Sequence, residues 1–261
     1  MRNVTWADPE VRRELASLKA GGPFVYGLTN YVAANLSANV LLAVGAGPAI
    51  GVAPGWPEAF GAGAGALWIN TAALMSSGPE TLVAAARAAH QAGTPWVLDP
   101  VAVGAGSPAY DAVVRQLLDF HPTVIRGNAS ELIALAGGEG GGKGVETTAT
   151  SDQAVDFVRN LAREAGTIAA VSGPVDFITD GSEVLAVPGG DVRLTRVTGA
   201  GCSLGALIAA LLATSKSPLW ATAAAHAIYA VAAERAGAAT RGTASFGIAL
   251  VDELSLLDPA E

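Results

Sequence analysis

PWVLDPVAVGAGSPAYDAVVRQLLDFHPTVIRGNASEL, running from Pro95 to Leu132, holds two short apolar runs, PWVLDP (95–100) and TVIR (123–126). A helix-forming segment from Pro108 separates them, and Asn128 opens another helix after the second. Both runs are continuously apolar rather than alternating, the pattern of strands buried on both faces. Strand, helix, strand, helix at this spacing is βαβ rhythm, and it predicts an α/β fold with a mostly parallel sheet covered by helices.

The rhythm extends in both directions. Upstream, Asp8 and Pro9 start a helix whose Val11, Leu15 and Leu18 share a face, ending at Gly21 and Gly22. A loop is expected next, then a helix near Tyr31 with Val32, Leu36, Val40 and Val44 recurring every four residues. ALWIN (66–70) is the next strand, and Ser77 with Pro79 opens the helix after it. Downstream, GGEGGGKGVETT (137–148) reads as a mobile surface loop rather than a phosphate cradle, because no strand runs directly into it. A helix from Asp152 leads to the strand TIAAVS (167–172). VDFIT, Asp180–Gly181 and EVLAV then form a hairpin, DVRLTRV a further strand, and Pro218 to Leu257 an Ala-rich helical remainder. The expected architecture is one domain over residues 1–261, with the antiparallel hairpin near the C-terminal edge of the sheet.

Bulk properties narrow the function. The formal charge of −8 and the absence of a basic run argue against nucleic acid or an anionic membrane as partner. Although 51% of residues are hydrophobic, apolar runs such as LGALIAALLA are too short to cross a bilayer, so the surplus points to burial between subunits. One cysteine excludes an internal disulfide framework, and MRNVTWADPEVRREL lacks a continuous apolar stretch, so a cytoplasmic location is expected.

In open α/β sheets ligands collect at the carboxyl ends of strands. The residues expected there are Asn70, Asp99, Arg126 with Asn128 and Glu131, Ser172, and the turn TGAGC. Gly199, Ala200 and Gly201 form a small-residue turn into an apolar helix, which puts Cys202 in its first turn. Free amides and the macrodipole there suit an anion and a thiolate; the competing reading is an inert, packed thiol. Asp99 and Glu131 form an oxygen-ligand pair for Mg²⁺, or else Glu131 caps the helix from Asn128; spacing leaves both open. Arg126 offers a planar fork to phosphate oxygens, or an ion pair. His90, His121 and His226 lack metal-ligand spacing and read as structural. Without a GxxxxGK[ST] loop, a GxGxxG after the first strand, or a nucleophile elbow, the set fits phosphoryl transfer best.

TNYVAAN (29–35), SANVLLAVGAGPAI (37–50), VLDPVAVGA (97–105), PTVIRGNASEL (122–132), VSGPVDFITDG (171–181) and VTGAGC (197–202) together resemble the hydroxyethylthiazole kinase family, of ribokinase-like three-layer fold. The resemblance spans nearly the whole chain. It implies ATP-dependent phosphorylation of 4-methyl-5-(2-hydroxyethyl)thiazole in thiamine biosynthesis and salvage, with Mg²⁺, in a homotrimer with active sites between subunits. It implies Cys202 as catalytic residue, where most ribokinase-like enzymes carry aspartate, and Gly199, Ala200 and Gly201 as anion hole. By the same resemblance Arg126 and Ser172 bind ATP, Asp99 and Glu131 hold the metal, and Asn30, Ile50 and Gly199 contact the substrate. One stretch departs: PAIGVA (48–53) stands where the family has a sequence like PVMAHA, so Ile50 replaces a methionine and Val52 a histidine. A kinase for another small heteroaromatic or sugar alcohol, and a nucleotide-binding regulator without turnover, are the competing readings.

Overall fold

The computed structural model describes residues 1–138 and 150–261. The described elements are, in chain order, β1 (Arg2–Asn3), α1 (Pro9–Gly21), β2 (Phe24–Leu28), α2 (Tyr31–Ala43), β3 (Gly47–Ile50), α3 (Trp56–Gly63), β4 (Ala66–Asn70) and α4 (Pro79–Ala92). There follow β5 (Trp96–Asp99), α5 (Pro108–Leu118), β6 (Val124–Asn128), α6 (Ala129–Leu135), α7 (Ser151–Ala165), β7 (Ile168–Ser172), β8 (Val175–Thr179) and β9 (Val184–Pro188). The chain closes with α8 (Ala200–Leu212), α9 (Pro218–Ala239) and α10 (Thr243–Leu256). One mixed sheet runs in the order β1-β9-β8-β7-β6-β5-β4-β2-β3. Only β8 opposes its neighbours, pairing antiparallel with both β7 and β9.

Because side chains alternate across a strand, consecutive residues of the central strands feed two cores. Val25, Trp68, Val97, Val124 and Ala170 face the layer that includes α1, α8 and α9. Tyr26, Leu67, Leu98, Ile125 and Ala169 face the layer that includes α4, α5 and α7. This double burial is why the strands read as unbroken apolar runs.

Three expectations are corrected. The loop after Gly22 contains β2, paired in parallel with both β3 and β4, so it lies within the sheet. Its glycine masked it: a Cβ on Gly27 would lie 3.0 Å from Trp68 Cε3, so the strand needs a residue that reads as punctuation. The face assigned to α2 is shifted: Ala33, Ser37, Val40 and Leu41 are buried, whereas Val32 is exposed. DVRLTRV is not a strand but a short 3-10 turn over Val192–Arg196 with none of its residues buried. There the Asp191 carboxylate accepts from the Arg193 amide, and the Arg193 guanidinium returns to Asp191 and to the carbonyls of Gly237 and Thr240, a local closure that defeats the β-pattern. The Gly-rich segment 137–148 lies, except for Gly137 and Gly138, outside the described residues.

Helix α8 lies close over β4 and β5, and Gly205 permits it. A Cβ there would stand 2.6 Å from Trp68 Nε1 and 3.3 Å from Asp99 Oδ2, both fully buried groups. Gly205→Ala is expected to lower stability by about 1–3 kcal/mol through overpacking, measured by chemical denaturation. An unchanged midpoint would mean that the helix can lift without cost.

Candidate active site

Parallel register sets the site. Asn70 is directly opposite Asp99 across β4 and β5, and Asn128 opposite Ser172 across β6 and β7, so four strands present polar groups at their carboxyl ends. The N-terminus of α8 comes to the same edge. Arg126 joins them: Nη1 donates to the Gly201 carbonyl at 2.9 Å and lies 3.7 Å from Asp99 Oδ2, while Nη2 donates to Ser172 Oγ at 2.9 Å. Arg126 is 9% exposed, so its ion pair with Asp99 is buried rather than at the surface.

Gly199 has φ 85°, a conformation suited to glycine, and turns the chain into α8. Of the three small residues before Cys202, Ala200 already spends its amide on the Val197 carbonyl at 3.1 Å. A Cβ on Gly199 would meet Ala33 Cα at 3.1 Å, which brings the start of α2 beside the start of α8. At that start the Asn30 carboxamide accepts from the Ala33 amide at 2.7 Å and caps α2. Ile50, half-buried, ends β3 beside Gly27, and Val52 is exposed.

Glu131 does what its spacing from Asn128 suggested for a cap. Its Oε2 accepts from the Asn128 amide at 2.8 Å and the Asn128 side chain accepts from the Glu131 amide at 3.0 Å. Its Oε1 takes a second amide, that of Ala102, at 2.9 Å. Ala102 has φ 64°, an uncommon conformation for a residue with a Cβ, and the carboxylate holds it there. Behind it, the Tyr110 hydroxyl donates to the Val101 carbonyl at 2.6 Å and stands 2.9 Å from Thr71 Oγ1, bracing the chain after β5.

Asn70 is the residue whose role sequence position alone did not reveal. Its Oδ1 accepts from the Ala72 amide at 3.0 Å, which fixes the direction of the carboxamide. Its NH₂ edge therefore faces Asp99 Oδ2, at 3.3 Å, and favours the ionised form of Cys202. A polar residue ending an apolar strand was the available signal, but its partners come from elsewhere in the chain.

Burial governs the electrostatics. Asp99 is fully buried, and desolvation pushes its pKa up to about 7 against the lowering pull of Arg126 and Asn70, with Glu131 adding to the rise. Burial also raises Glu131, opposed by the amides of Ala102 and Asn128. Cys202 is pushed up to about 12, first by burial and then by the Asp99 charge, while Arg126 and Asn70 oppose. Of the two readings left open by the sequence, thiolate or packed thiol, burial and the carboxylates favour the protonated thiol. Iodoacetamide should accordingly label Cys202 of the substrate-free protein slowly at pH 7–8 and progressively faster above pH 10, because only the thiolate reacts. Rapid labelling at neutral pH, read by intact mass, would contradict this electrostatic balance.

Among the described residues no three His, Cys, Asp or Glu side chains cluster as a ready-made metal cage. The pair of carboxylates nevertheless suits a hard cation that completes its shell with water and phosphate oxygens. Asp99 Oδ1 is buried with no hydrogen-bond partner among the described residues, and each Glu131 oxygen keeps a second lone pair.

Known proteins resemble this chain in sequence and in fold. A sequence model of the hydroxyethylthiazole kinase family matches residues 15–260. A hydroxyethylthiazole kinase of Burkholderia pseudomallei (strain K96243) is 70% identical over 261 residues, covering 100% of this chain and 94% of that protein. One of Leptospira interrogans is 45% identical over 252 residues, 97% and 95% of the two chains. The structure of a hydroxyethylthiazole kinase from Pyrococcus horikoshii OT3 superposes with a TM-score of 0.86 at 35% identity, covering 95% of this chain and 93% of that one. Pyridoxal kinase from Staphylococcus aureus shares the fold alone, with a TM-score of 0.64 at 17% identity over 81% of this chain and 88% of that one. The strand-end site therefore sits on a ribokinase-like scaffold, and the chain belongs to the hydroxyethylthiazole kinase family.

Proposed function

We propose that the protein transfers the γ-phosphoryl group of ATP to the hydroxyl of 4-methyl-5-(2-hydroxyethyl)thiazole, a step of thiamine biosynthesis and salvage. The observation that carries this reading is Arg126, which ties Ser172 to the Gly201 carbonyl beside Cys202 and Asp99. Phosphoryl transfer asks mainly for positioning and for fixed charge around the moving group. Arg126 is a buried, permanently charged fork for phosphate oxygens, and the amides at the start of α8 extend that anion-binding surface. Asp99 and Glu131 would hold Mg²⁺, which when bound neutralises phosphate charge and bridges phosphate oxygens. Cys202, in the first turn of α8, orients the alcohol oxygen. As a thiol it cannot accept a proton, so its own proton must first leave to solvent; Asn70 and Arg126 favour that ionised form, which then takes the alcohol proton as transfer proceeds.

Asn30, Ile50 and Gly199 are assigned to the alcohol-binding side. Tyr31, Val32 and Ile248, all exposed apolar side chains, support burial between subunits of a homotrimer, to be checked by sedimentation. A cytoplasmic location is part of the same reading. Neither Ile50 nor Val52 offers a hydrogen-bonding side chain, which suits a flat apolar ring better than a sugar, so the second reading is narrowed to another heteroaromatic alcohol. The test is ATP-dependent phosphorylation of a panel of small alcohols with Mg²⁺. Efficient turnover of the thiazole is expected; efficient turnover of another heteroaromatic alcohol, with none of the thiazole at millimolar concentration, would keep the chemistry and replace the substrate.

A further inference from the structure

His226 lies in α9, 1% exposed, among Ala223, Ala224, Ala225 and Ala227. Its Nδ1 stands 2.6 Å from Asp176 Oδ2, on β8. A carboxylate oxygen accepts, so Nδ1 carries the hydrogen and donates. Nε2 is buried with no partner among the described residues. A ring used only to fill space would be replaced at less cost by an aliphatic side chain, which leaves no buried nitrogen unsatisfied. The polar group is explained by what Asp176 does with its other oxygen: Oδ1 accepts the Gly173 amide at 2.8 Å.

Gly173 follows Ser172 in the turn that reverses the chain from β7 into β8. That turn is fixed on every side. Arg126 holds Ser172 Oγ, and Ser151 Oγ, at the start of α7, donates to the Val175 carbonyl at 2.7 Å. A Cβ on Gly173 would stand 2.4 Å from Ser151 Oγ, so only glycine fits beneath it. Asp176 also lies close enough to Arg126 to help keep it charged. The turn is thus held directly by Arg126, Ser151 and Asp176, and the buried histidine acts on it through Asp176.

We infer that His226 and Asp176 are a positioning pair for the nucleotide, holding the Ser172–Gly173 turn in the conformation that receives ATP phosphate oxygens. The inference rests on the assignment of Arg126 and Ser172 to the ATP side. His226 touches no substrate; it acts through Asp176, and its loss loosens the turn on the nucleotide side while leaving the alcohol side, at Asn30 and Ile50, in place.

The experiment compares wild type, His226→Leu, His226→Asn and Asp176→Ala in the full-length protein, by steady-state kinetics in both substrates and by calorimetric titration with ATP. His226→Leu keeps the volume and removes the donor, whereas the carboxamide introduced by His226→Asn places an N–H near the former Nδ1. The KM for ATP should rise about tenfold or more in His226→Leu, with kcat and the KM for the alcohol within about threefold, and His226→Asn should recover most of the loss. Asp176→Ala, at a partly exposed position, should reproduce the shift and serves if His226→Leu does not fold. Turnover with an unchanged KM for ATP in the folded variants, or equal losses for both substrates, would overturn the pairing alone. A wild type that binds ATP yet phosphorylates no alcohol would overturn the function above, and the calorimetric affinities would still decide the pairing. A wild type that does not bind ATP would overturn both.

Discussion

Cys202→Ala is expected to lower kcat by about 10²–10⁴-fold while ATP still binds with near wild-type affinity, the range associated with losing a positioned proton acceptor. The side chain is small, its neighbours Asn70, Asp99 and Arg126 are held by one another, and removing one sulfur atom leaves that frame standing. Cys202→Asp should retain part of the activity, since a carboxylate can also accept the proton. Its second negative charge beside Asp99 should raise the pKa of the pair, so the retained activity should climb with pH from the mildly acid range. Single-turnover measurements in rapid quench separate the chemical step from product release. Wild-type turnover by the alanine variant with an unaltered pH profile would reduce Cys202 to packing.

Arg126→Met should destabilise the protein by on the order of 3–5 kcal/mol near pH 8, because it strands Asp99 in the interior without its cation. The pH dependence carries the sign. Burial already holds the folded pKa of Asp99 near 7, above its unfolded value, so this group favours folding fully only below about pH 4, and that contribution is eroded as pH rises towards 7. Removing Arg126, which opposes the shift, extends the erosion to higher pH. The deficit of the variant should therefore be smaller at pH 4–5 than at pH 8, and Asp99→Asn in the same background should recover part of it. Urea denaturation across that range is the measurement. A deficit independent of pH would place the loss in the hydrogen bonds to Gly201 and Ser172 instead.

Strands buried on both faces betray themselves in sequence, and β4, β5, β6 and β7 were legible for that reason, as was the β8–β9 hairpin from its Asp180–Gly181 turn. What escaped was decided by contacts distant in the chain. Phe24–Leu28 needs a glycine because Trp68 passes close by, and Val192–Arg196 closes on itself through Asp191 and the helix end at Gly237. In the site, strand-end positions exposed Asp99, Arg126 and Ser172 as candidates. No local pattern could tell that Asn70 donates to the buried acid, or that burial and the nearby carboxylates keep the cysteine protonated.

Glu131 braces two separate backbone segments, one oxygen on the Ala102 amide and the other on the Asn128 amide. A carboxylate is the side chain of that reach that offers two acceptors and no donor. Glutamine, the usual neutral stand-in, has nearly the same shape but turns an NH₂ towards one of the two N–H groups. Glu131→Gln should thus cost about 1–3 kcal/mol of stability and release Ala102 from its left-handed conformation, visible as a fall in melting temperature without any ligand. The residue assigned to carry metal charge is then also a piece of scaffolding, so the chain is not free to tune one property at this position without altering the other.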